Sequence, residues 1–368
     1  MRISTLKLVF ACLSAALLAA CGGYSLAPPA LPAAQQLSST NQIPAHSKVC
    51  LTTTCVYAGA DGGPLVDGNA LVFPGNAKGD IRPVQRFELA ANTGVSGVAV
   101  DATRNIYFSE FCLPNVCDVR KNPPDWVSVY AAGASGNNVK PIQYIQGSHT
   151  GLCNLGTNGI AVDANLNIYV PTICYRVHVH HESVLVFGAG ANGNVEPIRK
   201  IRGPKTRLAS PRGIALDSAG NTYVLNATGV VVFAAGANGN VKPIQTITGS
   251  KTGLTNPSGI AVDPADNIYV TNLVKPNGSS VDVFAAGADG NVAPIRTIGG
   301  KVTGLDIALG CAVDAGGNVY VLNWKSYYSP RKNILVFAAG ANGDVAPIRK
   351  IRGPKTHLQL PLTRIAVR

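Results

Sequence analysis

The chain has 368 residues, with 40 Gly and 24 Pro, and only 14% of its residues are charged. Lys and Arg exceed Asp and Glu by 31 to 19, which gives a formal net charge of +12. The 46% hydrophobic content argues against a disordered chain, and Ala, Glu, Lys, Leu and Arg do not dominate as they do in coiled coils. The composition is typical of a protein with many short strands and tight turns.

The N-terminus has the pattern of an export signal. Arg2 and Lys7 lie in a short, positively charged N-terminal region. Residues 8–18 are almost wholly apolar, but this run is too short to span a bilayer, which needs about twenty residues. Leu-Ala-Ala-Cys-Gly at 18–22 resembles a bacterial lipobox, so Cys21 would be lipidated; the alternative is an ordinary signal peptide with an incidental cysteine. Gly22 is not the Asp that marks inner-membrane retention in enteric-type lipoproteins. We therefore expect a lipid anchor in the outer membrane, facing the periplasm.

Three segments follow from this pattern. Residues 1–20 are the predicted signal peptide, and residues 21–47 are the lipidated Cys21 with a flexible tether rich in Pro, Ala and Ser. Residues 48–368 are the predicted folded domain.

One unit recurs through the folded domain. Its first strand, of the GIAVD type, ends at an aspartate, and a second strand such as NIYV follows after a short turn. A third strand ends in Val-Phe or Val-Tyr, and a glycine-rich turn of the AAGANGNV type leads to a fourth. A unit of about 50 residues with four strands indicates a β-propeller. The aspartates are Asp101, Asp163, Asp217, Asp263 and Asp314.

The two ends of the domain determine the predicted number of blades. A sixth Val-Phe pair, at 72–73, belongs to a unit that lacks its first strand, and residues 364–368 (RIAVR) align with GIAVD. The C-terminal strand would therefore join three N-terminal strands in one blade. The sequence predicts an all-β, six-bladed β-propeller with four-stranded blades, closed in this 1+3 manner.

The segment PSGIAVDPADNIYVTN at 257–272 and its relatives resemble the NHL-repeat and YVTN-type propellers. That group includes proteins similar to SMP-30/gluconolactonase and to streptogramin lyase, and the resemblance covers residues 48–368. It implies the fold but not the chemistry, because one propeller scaffold hosts many functions.

Most repeated residues are expected to be structural. The repeat aspartates precede turns that lead to an asparagine, and an Asp carboxylate can bond turn amides there. The repeated tyrosines lie on one face of the second strand and are expected to pack between blades: Tyr107, Tyr169, Tyr223, Tyr269 and Tyr320.

The repeats differ most at the joint between the second and third strands. Blade 4 has the shortest joint, whereas other blades carry longer insertions, at 109–125, 172–182, 273–279 and 323–332. These joints and the linkers between blades share one side of the ring, which we call the top face and expect to bind ligand. The aromatic candidates there are surface contacts or, equally, loop anchors: Trp126, Trp324, Tyr327 and Tyr328.

Histidines also gather at one joint. His178 and His180 share a strand face, with His181 and Glu182 beside them, so two imidazoles could hold a metal ion. An exposed hairpin without metal is the favoured interpretation, because no separate third ligand is evident.

Seven cysteines remain after Cys12 and Cys21 are set aside, and three disulfides suit an oxidising periplasm. We expect Cys50 to pair with Cys55, and Cys112 with Cys117, both at a second joint. Zinc binding is the alternative for these C-x₄-C segments. Cys153, in a linker, and Cys174, in a joint, would meet at the top face. Cys311 is expected to be a buried free thiol.

Basic residues follow the outermost strands and the linkers. The decapeptide PIRKIRGPKT occurs at 197–206 and at 347–356, and Lys205, Lys251 and Lys355 share one linker position. Such residues protect sheet edges from aggregation, which is the favoured interpretation. The alternative is a cationic rim that attracts anionic envelope polymers or lipid headgroups.

The resemblance suggests one enzymatic comparison. SMP-30-like lactonases hold a divalent metal at the channel mouth, and the positions just after the second strand would form an equivalent polar ring suited at most to weakly held Ca²⁺: Glu110, Thr172, Asn226, Asn272 and Asn323. No second carboxylate or histidine repeats there to serve as acid or base.

We therefore favour a non-enzymatic, lipid-anchored binding or scaffold module, monomeric, whose top face contacts an envelope protein or an anionic glycan. The alternative is a metal-dependent lactonase or lyase at the channel mouth. Nucleic acid is not expected as a partner, because the chain is predicted to be exported and lacks the corresponding motifs.

Overall fold

The computed structural model describes residues 50, 53–60, 68–89, 93–112, 125–153, 155, 159–176, 179–274, 278–325, 332–358 and 362–368. Within these residues, twenty-four strands form six four-stranded antiparallel sheets, which are the blades of a β-propeller. The predicted fold is confirmed. In the described parts of the linkers between blades, three single-turn 3₁₀ helices are present: Pro204–Thr206, Ser250–Thr252 and Pro354–Thr356.

The first three blades contain strands β1 to β11. Blade 1 has β1 (Cys55–Ala60), β2 (Asn69–Pro74) and β3 (Gln85–Glu88). Blade 2 has β4 (Thr93–Val100), β5 (Ile106–Cys112), β6 (Asp125–Tyr130) and β7 (Gln143–Ile145). Blade 3 has β8 (Ala161–Val162), β9 (Ile168–Arg176), β10 (Val179–Phe187) and β11 (Arg199–Arg202).

The remaining strands form blades 4 to 6 and complete blade 1. Blade 4 has β12 (Gly213–Leu216), β13 (Thr222–Asn226), β14 (Gly229–Phe233) and β15 (Gln245–Thr248). Blade 5 has β16 (Pro257–Val262), β17 (Ile268–Val274), β18 (Gly278–Phe284) and β19 (Arg296–Gly299). Blade 6 has β20 (Ile307–Val313), β21 (Val319–Trp324), β22 (Lys332–Phe337) and β23 (Arg349–Ile351), and the last strand is β24 (Leu362–Val367).

The ring closes as predicted, because β24 is the innermost strand of blade 1. It pairs with β1 in antiparallel register, with Val56 opposite Val367 and Ala58 opposite Ile365. At the end of the pair, the Cys55 amide donates to the Arg368 carbonyl at 2.7 Å. Closing the ring with a hydrogen-bonded strand removes the free edge that a three-stranded blade would expose.

The repeat aspartates form structural turns, as expected. In blade 3 the Asp163 carboxylate accepts hydrogen bonds from the backbone and side-chain N–H groups of Asn167, both at 2.8 Å. The Tyr169 hydroxyl donates to the same carboxylate at 3.2 Å, and the Arg199 guanidinium donates to that hydroxyl at 2.8 Å. Each aspartate therefore ties the turn between the first two strands to the buried tyrosine of its own blade.

Neighbouring blades are joined by backbone as well as by side chains. The connection between the third and fourth strands of each blade reaches the outermost strand of the preceding blade. In blade 3, the Gly193 amide donates to the Tyr144 carbonyl at 2.8 Å. The outer edge of each sheet is thus partly covered by the next blade. The bridging pairs are Gly79–Ile351, Phe87–Gly136, Ile145–Gly193, Ile201–Gly239, Ile247–Gly290 and Ile298–Gly343.

The hydrophobic core lies between blades rather than at the centre of the ring. Each of six buried clusters combines side chains from two adjacent blades. Between blades 3 and 4, for example, Tyr169 and Val184 pack with Ile214 and Val224. Alternating strand residues supply both faces of a blade, which explains the apolar content of the sequence.

Candidate functional site

The central channel is narrow and lined by the inner strands. A cavity of about 50 Å³ lies there, bordered by glycine and aliphatic residues of all six blades. Blade 1 places Arg364 where the other five blades have glycine. The Arg364 guanidinium donates to the Arg212 carbonyl of blade 4, on the opposite side of the ring, at 3.2 Å. The Arg364 side chain therefore lies across the channel.

The three asparagines of the predicted polar ring hold linkers. The Asn226 side-chain oxygen accepts from the Ala209 amide at 3.1 Å, and its nitrogen donates to the Arg207 carbonyl at 2.8 Å. Asn272 and Asn323 bind the linkers that lead into blades 5 and 6 in the same way. These amides are buried, and they fasten each linker to the second strand of the blade that it enters.

The other two members of the predicted ring are also buried. The Thr172 hydroxyl lies 3.2 Å from that of Ser183, and the Glu110 side chain is 0% exposed and accepts a hydrogen bond from Ser128. Burial raises the pKa of Glu110 to about 7, although Ser128, Trp126 and Thr93 oppose that shift. None of the five ring residues borders the channel cavity.

The five residues are therefore buried within the blades, the three asparagines against the linkers, and do not line this cavity. Among the described residues, no group of three or more His, Cys, Asp or Glu side chains is arranged to hold a metal ion. Binding of Ca²⁺ by the ring stays a prediction.

The predicted aromatic contacts differ in their surroundings. Trp126 is only 6% exposed, and its ring centroid lies 6.1 Å from that of Tyr144, so its position fits the loop-anchor interpretation. Trp324 is partly exposed, with the Lys332 ammonium 4.4 Å from its ring centroid. Tyr327 and Tyr328 lie outside the described residues.

The predicted histidine cluster is described only in part. His178 lies outside the described residues, and His180 lies in β10 with its side chain undescribed. His181 is partly buried and borders a depression together with Glu182.

The cysteines confirm two of the predicted disulfides. Cys153 and Cys174 are joined, with a Cα–Cα distance of 5.3 Å, and link the entry to blade 3 with β9. Cys112 is also disulfide-bonded, but its predicted partner Cys117 lies outside the described residues. Cys311 is a buried free thiol, as expected, and burial raises its pKa to about 12.

The position predicted for one disulfide was wrong. Cys50 and Cys55 are joined, with a Cα–Cα distance of 5.6 Å, but Cys55 begins β1 instead of following it. The bridge therefore lies at the end of the second strand opposite the joint. The disulfide lies there because blade 1 takes its first strand, β24, from the C-terminus. The strand that follows Cys50, β1, is therefore the second strand of the blade.

Several open depressions lie around the junction of blades 3 and 4, and charged side chains border them. Only Ala227 and Thr228 join β13 to β14, and these two strands are short. The β13–β14 hairpin therefore extends less far at the top face than the longer β9–β10 hairpin of blade 3. Three adjoining depressions, of about 430, 280 and 340 Å³, lie at this junction. All three are bordered by Arg207, and we call them together the Arg207 groove.

Arg207 has an unusual backbone conformation. It follows the Pro204–Thr206 turn with φ 56°, and the equivalent residues after three other linker turns are Gly151, Gly253 and Gly304, all with φ 70°. A non-glycine residue costs about 1–2 kcal/mol in this left-handed region. Arg207 therefore places an exposed, basic side chain where three sibling linkers have glycine, which makes it a candidate binding residue.

The groove is positively charged. Four exposed basic side chains border it, and two acidic ones, Glu182 and Asp289, face them. Asp289 is already engaged, because its carboxylate accepts a hydrogen bond from the Thr246 amide at 2.7 Å. Thr228 and Gln245 add polar groups, and Pro243 and Ile244 add apolar surface. The basic residues are Arg202, Lys205, Arg207 and Lys242.

Arg207 cannot be recognised as a candidate binding residue from its own repeat alone. Lys205 and Arg202 are visible in the repeated decapeptide, whereas Arg207 and Lys242 lie outside it. A comparison of the linkers does reveal it, because GPKTRL at 203–208 has an arginine where GSKTGL at 249–254 and GKVTGL at 300–305 have a glycine.

Comparisons with known proteins support the fold alone. No family model matches the chain, and a search of curated proteins finds no match. A protein of unknown function from Bacteroides caccae is 11% identical, with a TM-score of 0.56 over 86% of this chain and 99% of its own.

Two further structures show weaker similarity. A gluconolactonase from Xanthomonas campestris is 15% identical, with a TM-score of 0.41 over 74% of this chain and 84% of its own. The PQQ-bound aldose sugar dehydrogenase from Streptomyces coelicolor is 12% identical, with a TM-score of 0.43 over 76% of this chain and 87% of its own. At these values the similarities carry no argument about activity.

Proposed function

We propose that this protein is an exported, lipid-anchored β-propeller that binds an envelope protein or glycan through its top face, without catalysis. The observation that carries the proposal is the Arg207 groove, where three depressions adjoin one exposed, conformationally strained arginine. The lipid on Cys21 and the tether at 21–47 would hold the ring near a membrane. Among the described residues no helix is long and apolar enough to cross a bilayer.

The second candidate function is a metal-dependent lactonase or lyase. It is favoured by Glu110, because a carboxyl with a pKa of about 7 suits proton transfer at neutral pH. However, Glu110 is 0% exposed, and the asparagines that would join it bind linker backbone instead. A substrate could not reach these groups without movement of the blade, so the geometry favours binding at the groove.

The proposal can be tested with isolated envelope fractions. We expect residues 22–368 to co-sediment saturably with outer-membrane sheets or with peptidoglycan. Thr248→Trp, which fills a position shared by two of the depressions, should weaken this binding at least about tenfold. Lys200→Trp, at an exposed site on β11 outside the groove, is the control and should bind normally.

The same preparation tests the enzymatic candidate. Calorimetry with Ca²⁺, Mg²⁺ and Zn²⁺ and a lactone-hydrolysis assay would be run on the unmodified protein and on Glu110→Gln. Tight binding of a divalent ion, together with turnover that Glu110→Gln abolishes, would replace the binding proposal with the enzymatic one.

A further inference from the structure

The decapeptide PIRKIRGPKT occupies equivalent places in two opposite blades. Its copies at 197–206 and 347–356 form β11 and β23 and the 3₁₀ turns that follow them. These elements lie in blades 3 and 6, which are three blades apart in a ring of six. The junction of blades 6 and 1 is therefore opposite the junction that holds the Arg207 groove.

Both copies are followed by a basic residue in a left-handed conformation. Arg207 and His357 both have φ 56°, at the position where the linkers into blades 3, 5 and 6 carry glycine. Two of the five Gly-x-x-Thr linkers thus keep a side chain where glycine is the less strained choice, and both of these side chains are basic.

The next blade adds a second basic residue at the same two junctions. Lys242 and Arg82 are exposed and directly precede the proline that leads into β15 or β3. At the other three junctions, where the linker residue is glycine, this position is Glu196, Ala293 or Ala346. A basic residue in the linker is therefore accompanied by a basic residue before the proline, and a glycine is not. The two positions are 35 residues apart at the junction of blades 3 and 4, and at the junction of blades 6 and 1 they come from opposite ends of the chain.

Positive charges from blades 6 and 1 lie near each other at the second junction. Burial lowers the pKa of His357, and the positive charges of Arg86 and Arg82 lower it further. Lys355 is exposed on the same turn, and its amide is held by the Asp80 carboxylate at 2.7 Å. At neutral pH the positive charge at this junction therefore comes from Arg82, Arg86 and Lys355, and His357 contributes a neutral imidazole that can donate and accept hydrogen bonds.

We propose that the two junctions are a matched pair of binding sites for a linear anionic polysaccharide bearing carboxylate or sulfate groups. This inference rests on the proposed binding function and names its ligand class. The Arg207 groove combines basic residues with hydroxyl and amide groups and with Pro243 and Ile244, which suits a sugar chain better than a flat lipid surface. Two sites on opposite edges of one ring would let a long chain bind with higher avidity than a short one.

The test replaces the basic residues of each junction by the glycine and alanine found at the junctions into blades 5 and 6. Arg207→Gly with Lys242→Ala, and His357→Gly with Arg82→Ala, reproduce the Gly253/Ala293 and Gly304/Ala346 pairs, so both variants are expected to fold. Lys140→Ala, an exposed lysine before the corresponding proline of blade 2, is the matched control. The probes are a hexamer of galacturonic acid, a dextran sulfate oligomer, neutral dextran, and vesicles containing phosphatidylglycerol.

We expect calorimetry at low salt to give two anionic oligosaccharides per protein, one after either double variant, and none after their combination. Long polymers should bind the unmodified protein at least about tenfold more tightly than either double variant. Neutral dextran should not bind, and Lys140→Ala should behave as the unmodified protein does. The galacturonate and sulfate arms identify which anionic group is preferred.

Three results would overturn the inference and leave the proposed function standing. One is a single site that the His357/Arg82 variant does not change. Another is anionic binding that neither double variant weakens, although Thr248→Trp weakens envelope binding as expected. The third is binding to the anionic vesicles but to neither oligosaccharide. Loss of the envelope interaction itself, with Thr248→Trp having no effect, would instead refute the proposed function.

Discussion

The carboxyl groups of Glu110 and Asp282 are buried inside opposite blades. The first lies on a second strand and the other on a third strand. In blade 2, Glu110 stands on the second strand with Ser128 beside it on the third. In blade 5, Asn272 takes the place of Glu110 and Asp282 that of Ser128, and their side chains hydrogen-bond at 3.1 Å. Burial raises the pKa of Asp282 as it does that of Glu110. Both pairs keep one acid and one polar partner between the strands.

The raised pKa of Glu110 predicts a pH-dependent stability. Because its pKa rises from 4.5 to about 7 on folding, the folded state retains a proton that the unfolded state loses. This contribution is fully present below pH 4.5 and is lost as the pH rises through 7. Glu110→Gln should therefore unfold with a flatter pH dependence, with up to about 3 kcal/mol less change between pH 4 and 8.

Urea unfolding at several pH values measures the effect of Glu110→Gln. Glu196→Gln, at an exposed site, is the control and should follow the unmodified protein at every pH. Parallel curves for Glu110→Gln and the unmodified protein would contradict the prediction.

The linkers between blades are held at both ends. One end of the blade 3–4 linker is bound by the connection of blade 4, because the Asn240 side chain accepts from the Lys205 amide at 2.8 Å. The other end is bound by Asn226, which accepts from the Ala209 amide and donates to the Arg207 carbonyl. The left-handed turn at Arg207 lies between these two attachments, so its strain is balanced by hydrogen bonds on either side.

Removing one attachment should loosen the groove. Asn226→Ala loses two hydrogen bonds to partly buried backbone groups, and we expect a loss of about 2 kcal/mol in the free energy of unfolding. Hydrogen exchange at the Ala209 amide should also become faster, which a general destabilisation of the ring would not produce selectively. Asn238→Ala, which loses one hydrogen bond to the Lys200 amide on the outer strand, is the comparison. Unchanged exchange at Ala209 would show that Asn226 does not hold the linker.

The pairing of β24 with β1 closes the ring. The C-terminal strand completes blade 1 and also supplies Arg364 and Ile365 to the channel wall. Ile365 further belongs to the cluster between blades 1 and 6, together with Val56 and Leu71. A single strand thus closes both the sheet and the ring.

Deleting residues 362–368 should abolish cooperative thermal unfolding and promote association, because the edge of β1 and the cluster around Leu71 become exposed. Calorimetry and size-exclusion chromatography measure these two effects. Arg364→Gly, which introduces the glycine of the other five blades while keeping β24, is the control; it should unfold cooperatively and elute at the same volume as the unmodified protein. A deletion variant with an unchanged melting transition would show that closure is not needed for stability.

Much of the fold was predictable because the repeats encode it locally. Alternating apolar residues, the Asp–Asn turns and the Val-Phe strands recur in each blade, so their register could be compared from copy to copy. The closure by β24 followed from the two incomplete ends, and the Cys153–Cys174 bridge followed from the blade geometry. The short turn at Ala227 and Thr228 was also evident as the shortest joint.

The sequence by itself therefore determined the number of blades, their closure and their turns, since each can be found by comparing one copy of the repeat with the next. Only the tertiary structure decided that the polar ring of Asn226, Asn272 and Asn323 binds linkers, and that Arg207 projects from a left-handed turn into a groove. Those outcomes depend on where a side chain points relative to the adjacent blade. Repeat patterns record which residues are alike but not the direction in which an unlike residue projects, and the binding surface is made of unlike residues.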